Sequence, residues 1–276
     1  MGSTLARALH GAGYEITALV DKRATTARDL AKELALERCV ASFQQIGKET
    51  QLLIVAVPDS LISDVDHSIA KILPQTTLLA CAHTSGALPG SVLQETAAVG
   101  IPVGSLHPLQ TFPSKGKSPS LRGIYFAVEG DPPALELLDD LVVKLGGMPI
   151  HVPSDGKAVY HAAAAFASNF LPGILRSSLD LLDSIGIPPA QGRKMLAPLM
   201  RQSLENCLQL GEVEALTGPV ARGDAVTVQR HLEAIGEVSP AVASLYRILS
   251  LKTLELADEK GLSDEQFTAV HGALNR

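Results

Sequence analysis

The run Leu52-Leu-Ile-Val-Ala-Val57 is apolar at every position. A strand is apolar on both of its sides where helices cover both faces of its sheet. Around it, short β-rich runs at residues 15–20, 52–57, 77–82, 101–106 and 123–129 alternate with helical patterns at 3–11, 25–36, 60–73 and 133–145. This alternation predicts βαβ units feeding a parallel sheet, the α/β class.

The alternation stops near residue 154, and helical patterns continue at 154–184, 189–210, 225–234, 241–260 and 264–274. Two domains are therefore expected, a dinucleotide-binding sheet domain over 1–153 and an all-α substrate and dimerisation domain over 154–276. Gly146-Gly147-Met148-Pro149 and the short apolar run 150–152 mark the joint.

A formal net charge of −6, with no cluster of Lys and Arg, argues against a nucleic-acid or anionic-membrane surface. Cys39, Cys81 and Cys207 form no C-x-x-C pair, so neither a disulfide framework nor a metal site is expected, in keeping with a reducing cytoplasm. Residues 158–175 carry no formal charge, yet His161, Ser168, Asn169 and Pro172 would be costly in lipid. The stretch is expected to be a buried helix, not a membrane span.

A dinucleotide-binding domain opens with a strand, then G-x-G-x-x-G, then a helix whose N-terminus meets the pyrophosphate. Here Met1-Gly2-Ser3-Thr4-Leu5 matches only the tail of that pattern, with Gly2 as the third glycine and Leu5, Ala6 and Leu9 on the packing face of the helix. Asp21 ends the following predicted strand at the position of a ribose-binding acid. The first strand and the earlier glycines are expected upstream of Met1, at a place where the motif often has valine, whose GTG codon also serves as a start. Gly2, Ser3, Asp21, Val57 and Pro58 are candidate cofactor-binding residues. Lys22 and Arg23 favour NADP over NAD if they hold a 2′-phosphate, and are otherwise two solvated charges.

Candidate chemistry sits at later strand ends. His83, Thr84 and Ser85 follow one predicted strand, at the carboxyl edge where such sheets bind ligands, so they are candidates to meet the nicotinamide. The alternative is a turn whose hydroxyls cap the next helix. His107-Pro108 ends the next strand and is a candidate substrate contact. Lys157 and His161 lie one helical turn apart, with Ser168 returning to nearly the same face and Asn169 beside it. The alternative there is a solvated Lys157 and a buried, hydrogen-bonded His161. Thr217-Gly218-Pro219 and Arg222 form a loop able to clamp a carboxylate, unless it is a plain turn with Asp224 as helix cap.

Four segments carry a more specific resemblance: His83-Thr84-Ser85-Gly86-Ala87, Gly104 through Pro113 with its His107-Pro108, Lys157 through Asn169, and Leu216 through Asp224. Together they resemble the bacterial family of Rossmann-like proteins that carry a C-terminal domain of unknown function. That family is similar in architecture to pyrroline-5-carboxylate reductase, prephenate dehydrogenase and 6-phosphogluconate dehydrogenase, and some members resemble an alternative class of ketopantoate reductase. The resemblance implies an oxidoreductase using NADP or NAD, acting on a small 2-oxo acid such as ketopantoate, and a homodimer formed through the helical domain. It implies Lys157 or His161 as proton donor, Asn169 and Ser168 orienting the substrate, and Arg222 on its carboxylate. An imine reductase or prephenate-type dehydrogenase, and a non-catalytic dinucleotide sensor, are the alternative readings.

Overall fold

The computed structural model describes residues 1–36, 43, 46, 49–72, 78–113 and 118–276. The chain divides into two compact units, residues 1–169 and 170–276. The division falls 16 residues beyond the expected joint, because the helix after Gly156 packs on the sheet through Lys157. A helical pattern alone does not say on which body a helix packs.

The first unit holds a five-stranded sheet in the order β1 (Leu52–Val55), β2 (Ala80–His83), β3 (Val103–Pro108), β4 (Tyr125–Gly130), β5 (Met148–His151). Neighbours are parallel except β3 and β4, which run antiparallel with Leu106 opposite Val128. The all-parallel expectation is corrected at this one pairing. Among the described residues no helix lies between β3 and β4, and without a crossover element the chain comes back along its neighbour in the opposite sense.

Side chains alternate across the pleat and build a core on each face. On one face Ala82, Leu106, Phe126 and Val128 pack against Leu5 and Leu9 of α1 (Gly2–Gly11) and Leu138, Leu141 and Val142 of α5 (Pro132–Lys144). On the other, Val55, Cys81 and Val103 pack against Ile62 and Ile69 of α3 (Ile62–Ala70) and Leu93, just before the short α4 (Gln94–Ala98). The buried carboxylate of Asp66 in α3 accepts from the Glu95 and Thr96 backbone N–H groups and from the Thr96 hydroxyl, satisfying the start of α4.

Residues 15–20 form no strand, which corrects that expectation. Tyr14 and Ile16 pack on the first core and Thr17 shares a hydroxyl contact with Thr50 at 2.9 Å. A strand exists through its ladder, and no ladder partner meets this segment among the described residues. The next helix, α2 (Ala24–Glu33), forms as its pattern predicts. Residues 73 and 77, at the ends of two predicted elements, and Cys39 lie outside the described residues; Cys81 is buried and Cys207 exposed.

The predicted helix over 154–184 is broken. A 3₁₀ turn (Ser154–Gly156) leads to α6 (Lys157–Ala164), a π-helical turn follows at Ala165–Asn169, and α7 (Leu171–Ser184) starts afresh with Pro172 in its first turn, where the missing N–H costs nothing. The stretch is long and apolar enough to cross a membrane by length and composition. It is not a buried helix, since Val159 and Phe166 are 74% and 73% exposed. Lack of charge described its composition but not its surroundings.

In the second unit α7 packs on α8 (Pro189–Leu210), and α9 (Ala225–Val238), α10 (Pro240–Glu259) and α11 (Asp264–Leu274) enclose Val228, Leu232, Leu254, Val270 and Leu274. Asp224, Ser239 and Ser263 cap these last three helices, each accepting a backbone N–H of the first turn.

Candidate active site

Because β1, β2 and β3 are parallel, the residues that follow or end them meet at one edge of the sheet. A cavity of about 360 Å³ opens there. Residues 56–59 after β1 and 84–86 after β2 form its walls, together with His107 near the end of β3, His161 of α6 and Met1 at the start of α1.

Two glycines make the approach possible. A side chain on Gly2 would sit 3.1 Å from the Cβ of Ala56, a tight contact that glycine avoids where α1 comes close to the loop after β1. A side chain on Gly86 would lie 2.7 Å from His161 Cδ2 and 3.0 Å from His107 Nε2, so both imidazoles occupy space that glycine leaves open.

His107 is buried, and its Nδ1 lies 2.9 Å from the Tyr160 hydroxyl. The ring meets those of Tyr160 and His161 edge-on, with centroids 5.7 and 5.8 Å away. Burial, followed by the nearby His161 and Lys157, lowers the His107 pKa to about 4, so the ring is neutral at pH 7. Burial also holds the Tyr160 phenol protonated, with its pKa raised to about 12.

His83, expected at the cofactor, lies in β2 and does not line the cavity. Its Nδ1 accepts the Ser85 backbone N–H at 3.1 Å, which leaves the proton on Nε2 to donate to the Pro89 carbonyl at 2.9 Å. Burial lowers its pKa as well. This neutral ring shapes the turn that carries Thr84, Ser85 and Gly86. The Ser85 hydroxyl accepts the backbone N–H groups of Ala87 and Leu88 and donates to Asp59 Oδ2 at 2.8 Å. Ser85 is thus both a turn cap and a cavity wall.

Lys157 is fully buried, contrary to the solvated alternative. Its Nζ donates to Ser105 Oγ at 2.6 Å and to the Ser85 carbonyl at 3.1 Å. Ser105 donates in turn to Glu129 Oε2 at 3.2 Å, and Glu129 also accepts the Gly90 N–H and the Ser154 hydroxyl, both at 2.6 Å. Burial lowers the Lys157 pKa to about 8, opposed by the charges of Glu129 and Asp59. The ammonium stands behind the turn at residues 84–86 and is not among the groups lining the cavity.

Other expected site residues lie elsewhere. Val57 and Pro58 line the cavity, as do Thr84 and Ser85, whereas Ser3 does not. Asp21, Lys22 and Arg23 form an exposed turn in which Asp21 Oδ1 accepts the Arg23 backbone N–H at 2.7 Å. The Ser168 hydroxyl lies 2.9 Å from the Ala164 carbonyl and 2.8 Å from Asn169 Oδ1, two acceptors that share its single proton. The π-helical turn changes the residues per turn, which is why a wheel drawn from His161 to Ser168 fails. Thr217, Gly218 and Arg222 belong to the second unit. There Arg222 is exposed and its carbonyl accepts from Gln266 Nε2 at 3.2 Å, while Asp224 acts as the helix cap.

Sequence reasoning singled out neither Asp59 nor Tyr160. Asp59 follows the Val57-Pro58 strand end, a signal that was available. Tyr160 adjoins His161 in sequence, but its partner His107 is 53 positions away and only the fold joins them.

Two family models match the chain: a Rossmann-like domain over residues 1–108 and a domain of unknown function, DUF2520, over residues 124–253. No curated protein matches the sequence. Among solved structures, a protein from Bacteroides fragilis described as a candidate NADP oxidoreductase is 24% identical with a TM-score of 0.74, over 92% of this chain and 93% of that one. A protein from Thermotoga maritima is 23% identical with a TM-score of 0.72, over 93% and 96%. An imine reductase from Myxococcus stipitatus in complex with NADP+ is 16% identical with a TM-score of 0.62, over 100% and 96%. The fold and the two models agree: the chain carries a Rossmann-like domain over residues 1–108 and a DUF2520 domain over residues 124–253, which begins with β4 of the sheet.

Proposed function

We propose that the protein is an NAD(P)-dependent reductase acting at the carboxyl edge of β1–β3. The observation that carries this reading is the cavity, where a glycine-tight helix start, a hydroxyl-bearing turn and two imidazoles face one space. The N-terminal turn of α1, with N–H groups unsatisfied by the helix, suits a pyrophosphate. Thr84 and Ser85 suit a nicotinamide or the substrate beside it, and Lys22 and Arg23, exposed near Asp21, favour NADP. A bound dihydronicotinamide supplies the hydride. The chain's own part is to hold the acceptor and to deliver a proton, and His161 is the donor we favour over Lys157, because it reaches the cavity.

The substrate carries a C=O or C=N bond. A 2-oxo acid, with ketopantoate as the named example, needs a cation for its carboxylate. One observation favours an imine instead: among the described residues, Asp59 is the only one lining the cavity with a formally charged side chain, the Met1 amino group apart, which suits a neutral or cationic substrate. The resemblance in fold to an NADP+-bound imine reductase supports the same choice.

The second unit is proposed to pair with a second copy. Met195, Leu199 and Leu210 of α8 are 48%, 63% and 59% exposed and share one side of the helix, a face that monomers rarely leave uncovered. Analytical ultracentrifugation tests this, and a monomer at all concentrations refutes it.

Titration with NADPH and NADH by nicotinamide fluorescence tests the reductase reading, followed by a panel of cyclic imines and 2-oxo acids read at the nicotinamide absorbance. Tight binding with NADPH preferred, and turnover of imines above oxo acids, is the expected result. Binding without turnover of any substrate supports a dinucleotide sensor, and no binding of either cofactor overturns the proposal.

A further inference from the structure

We propose that Tyr160 is a positioning residue that fixes the tautomer of His107, so that this imidazole presents its Nε2–H to the cavity as a neutral hydrogen-bond donor. The two side chains come from different elements, β3 and α6, and meet at 2.9 Å between the phenol oxygen and Nδ1. Either atom could donate, and the surroundings decide. No other hydrogen bond to this hydroxyl is present among the described residues, so a proton on Nδ1 would leave the phenol proton without a protein acceptor. With the phenol donating to Nδ1, the imidazole proton belongs on Nε2.

Nε2 is the atom beside Gly86, 3.0 Å from where a Cβ would stand, and therefore at the cavity wall. His83 shows the same device one strand away: its Nδ1 accepts a fixed donor, the Ser85 N–H, and its Nε2–H is committed to a carbonyl. In His107 the corresponding N–H meets no carbonyl among the described residues and is open to a ligand. A neutral donor recognises an uncharged acceptor, a carbonyl oxygen or an imine nitrogen, and polarises it without transferring its own proton. Only the identity of that acceptor rests on the reductase reading; the tautomer does not.

The test is long-range ¹H–¹⁵N NMR of the full chain at pH 7, with the His107 ring signals assigned by their loss in His107→Gln. The expected pattern is a pyrrole-like Nε2 and a pyridine-like Nδ1, changing in Tyr160→Phe towards a mixture of tautomers. A proton on Nδ1 in the unaltered protein, or identical His107 signals in Tyr160→Phe, overturns the proposal. With the best substrate of the panel, Tyr160→Phe should lower kcat about tenfold, on the order of one lost hydrogen bond, and leave the NADPH Kd unchanged. A changed tautomer with unchanged kcat overturns the catalytic half alone. If no substrate turns over, the reductase reading fails while the NMR result still decides the tautomer.

Discussion

Lys157 Nζ donates to Ser105 Oγ at 2.6 Å from a side chain with no exposed surface, and that hydroxyl passes the interaction on to Glu129. The lysine is thereby spent on holding α6 against β3 and the turn after β2. Lys157→Met leaves the buried Glu129 without its compensating charge, so a loss of about 3–5 kcal/mol is expected in urea unfolding. Adding Glu129→Gln to the same chain should recover part of it. Unaltered stability in the single variant would show that the network contributes nothing.

The lowered Lys157 pKa has a defined consequence for stability against pH. The unfolded lysine holds its proton up to about 10.5 and the folded one only to about 8, so between these values the unfolded chain binds more protons and folding gains as pH rises. Relative to Lys157→Met, the unaltered protein should gain stability from pH 8 to 10.5, by about 3 kcal/mol in full. Parallel curves for the two proteins across that range would contradict the buried ammonium.

His107 gives the complementary test in acid. Its folded pKa of about 4 lies below the ordinary 6.5, so the stability linked to it is complete above 6.5 and is lost as pH falls towards 4. The difference in unfolding free energy between the unaltered protein and His107→Gln should shrink over that window, by up to about 3 kcal/mol. His83 shifts in the same direction, which is why the comparison must be made between the two proteins.

Gly86→Ala places a methyl group against two imidazoles, 2.7 Å from one and 3.0 Å from the other. The rings must give way, at a cost of about 1–3 kcal/mol, and the cavity narrows. NADPH affinity and turnover should fall together, at least tenfold, while circular dichroism keeps the same helix content. Unchanged turnover would mean that the reacting groups do not lie beside Gly86.

Asp59→Asn keeps an acceptor for the Ser85 hydroxyl and removes the one formally charged side chain among the described residues of the lining. On the imine reading, kcat/KM for an iminium-forming substrate should drop about tenfold with little change for a neutral ketone, a loss near 1.4 kcal/mol. Equal losses on both substrates would assign Asp59 to shaping the turn at residues 84–86.

Much of the fold was legible because it rests on local rules. Unbroken apolar strands and helical spacing are properties of short segments, and the expectation that Val57, Pro58, Thr84, Ser85 and His107 stand at strand ends needed only those patterns. Residues 15–20 misled because a strand's pattern precedes its partner but does not supply one. The antiparallel β4 and the π-helical turn were equally silent, since both depend on how hydrogen bonds are shared between distant or successive turns.

By itself the sequence determined the α/β half, the helical half and the histidines at strand ends, because composition and periodicity act over a few residues. Tertiary structure decided which of the charged and polar groups faces the cavity. It turned Lys157 towards Ser105, closed His83 on Pro89, and set Tyr160 on His107 across 53 positions. A buried polar group must find its partner wherever the fold brings one, and spacing along the chain carries no record of that choice.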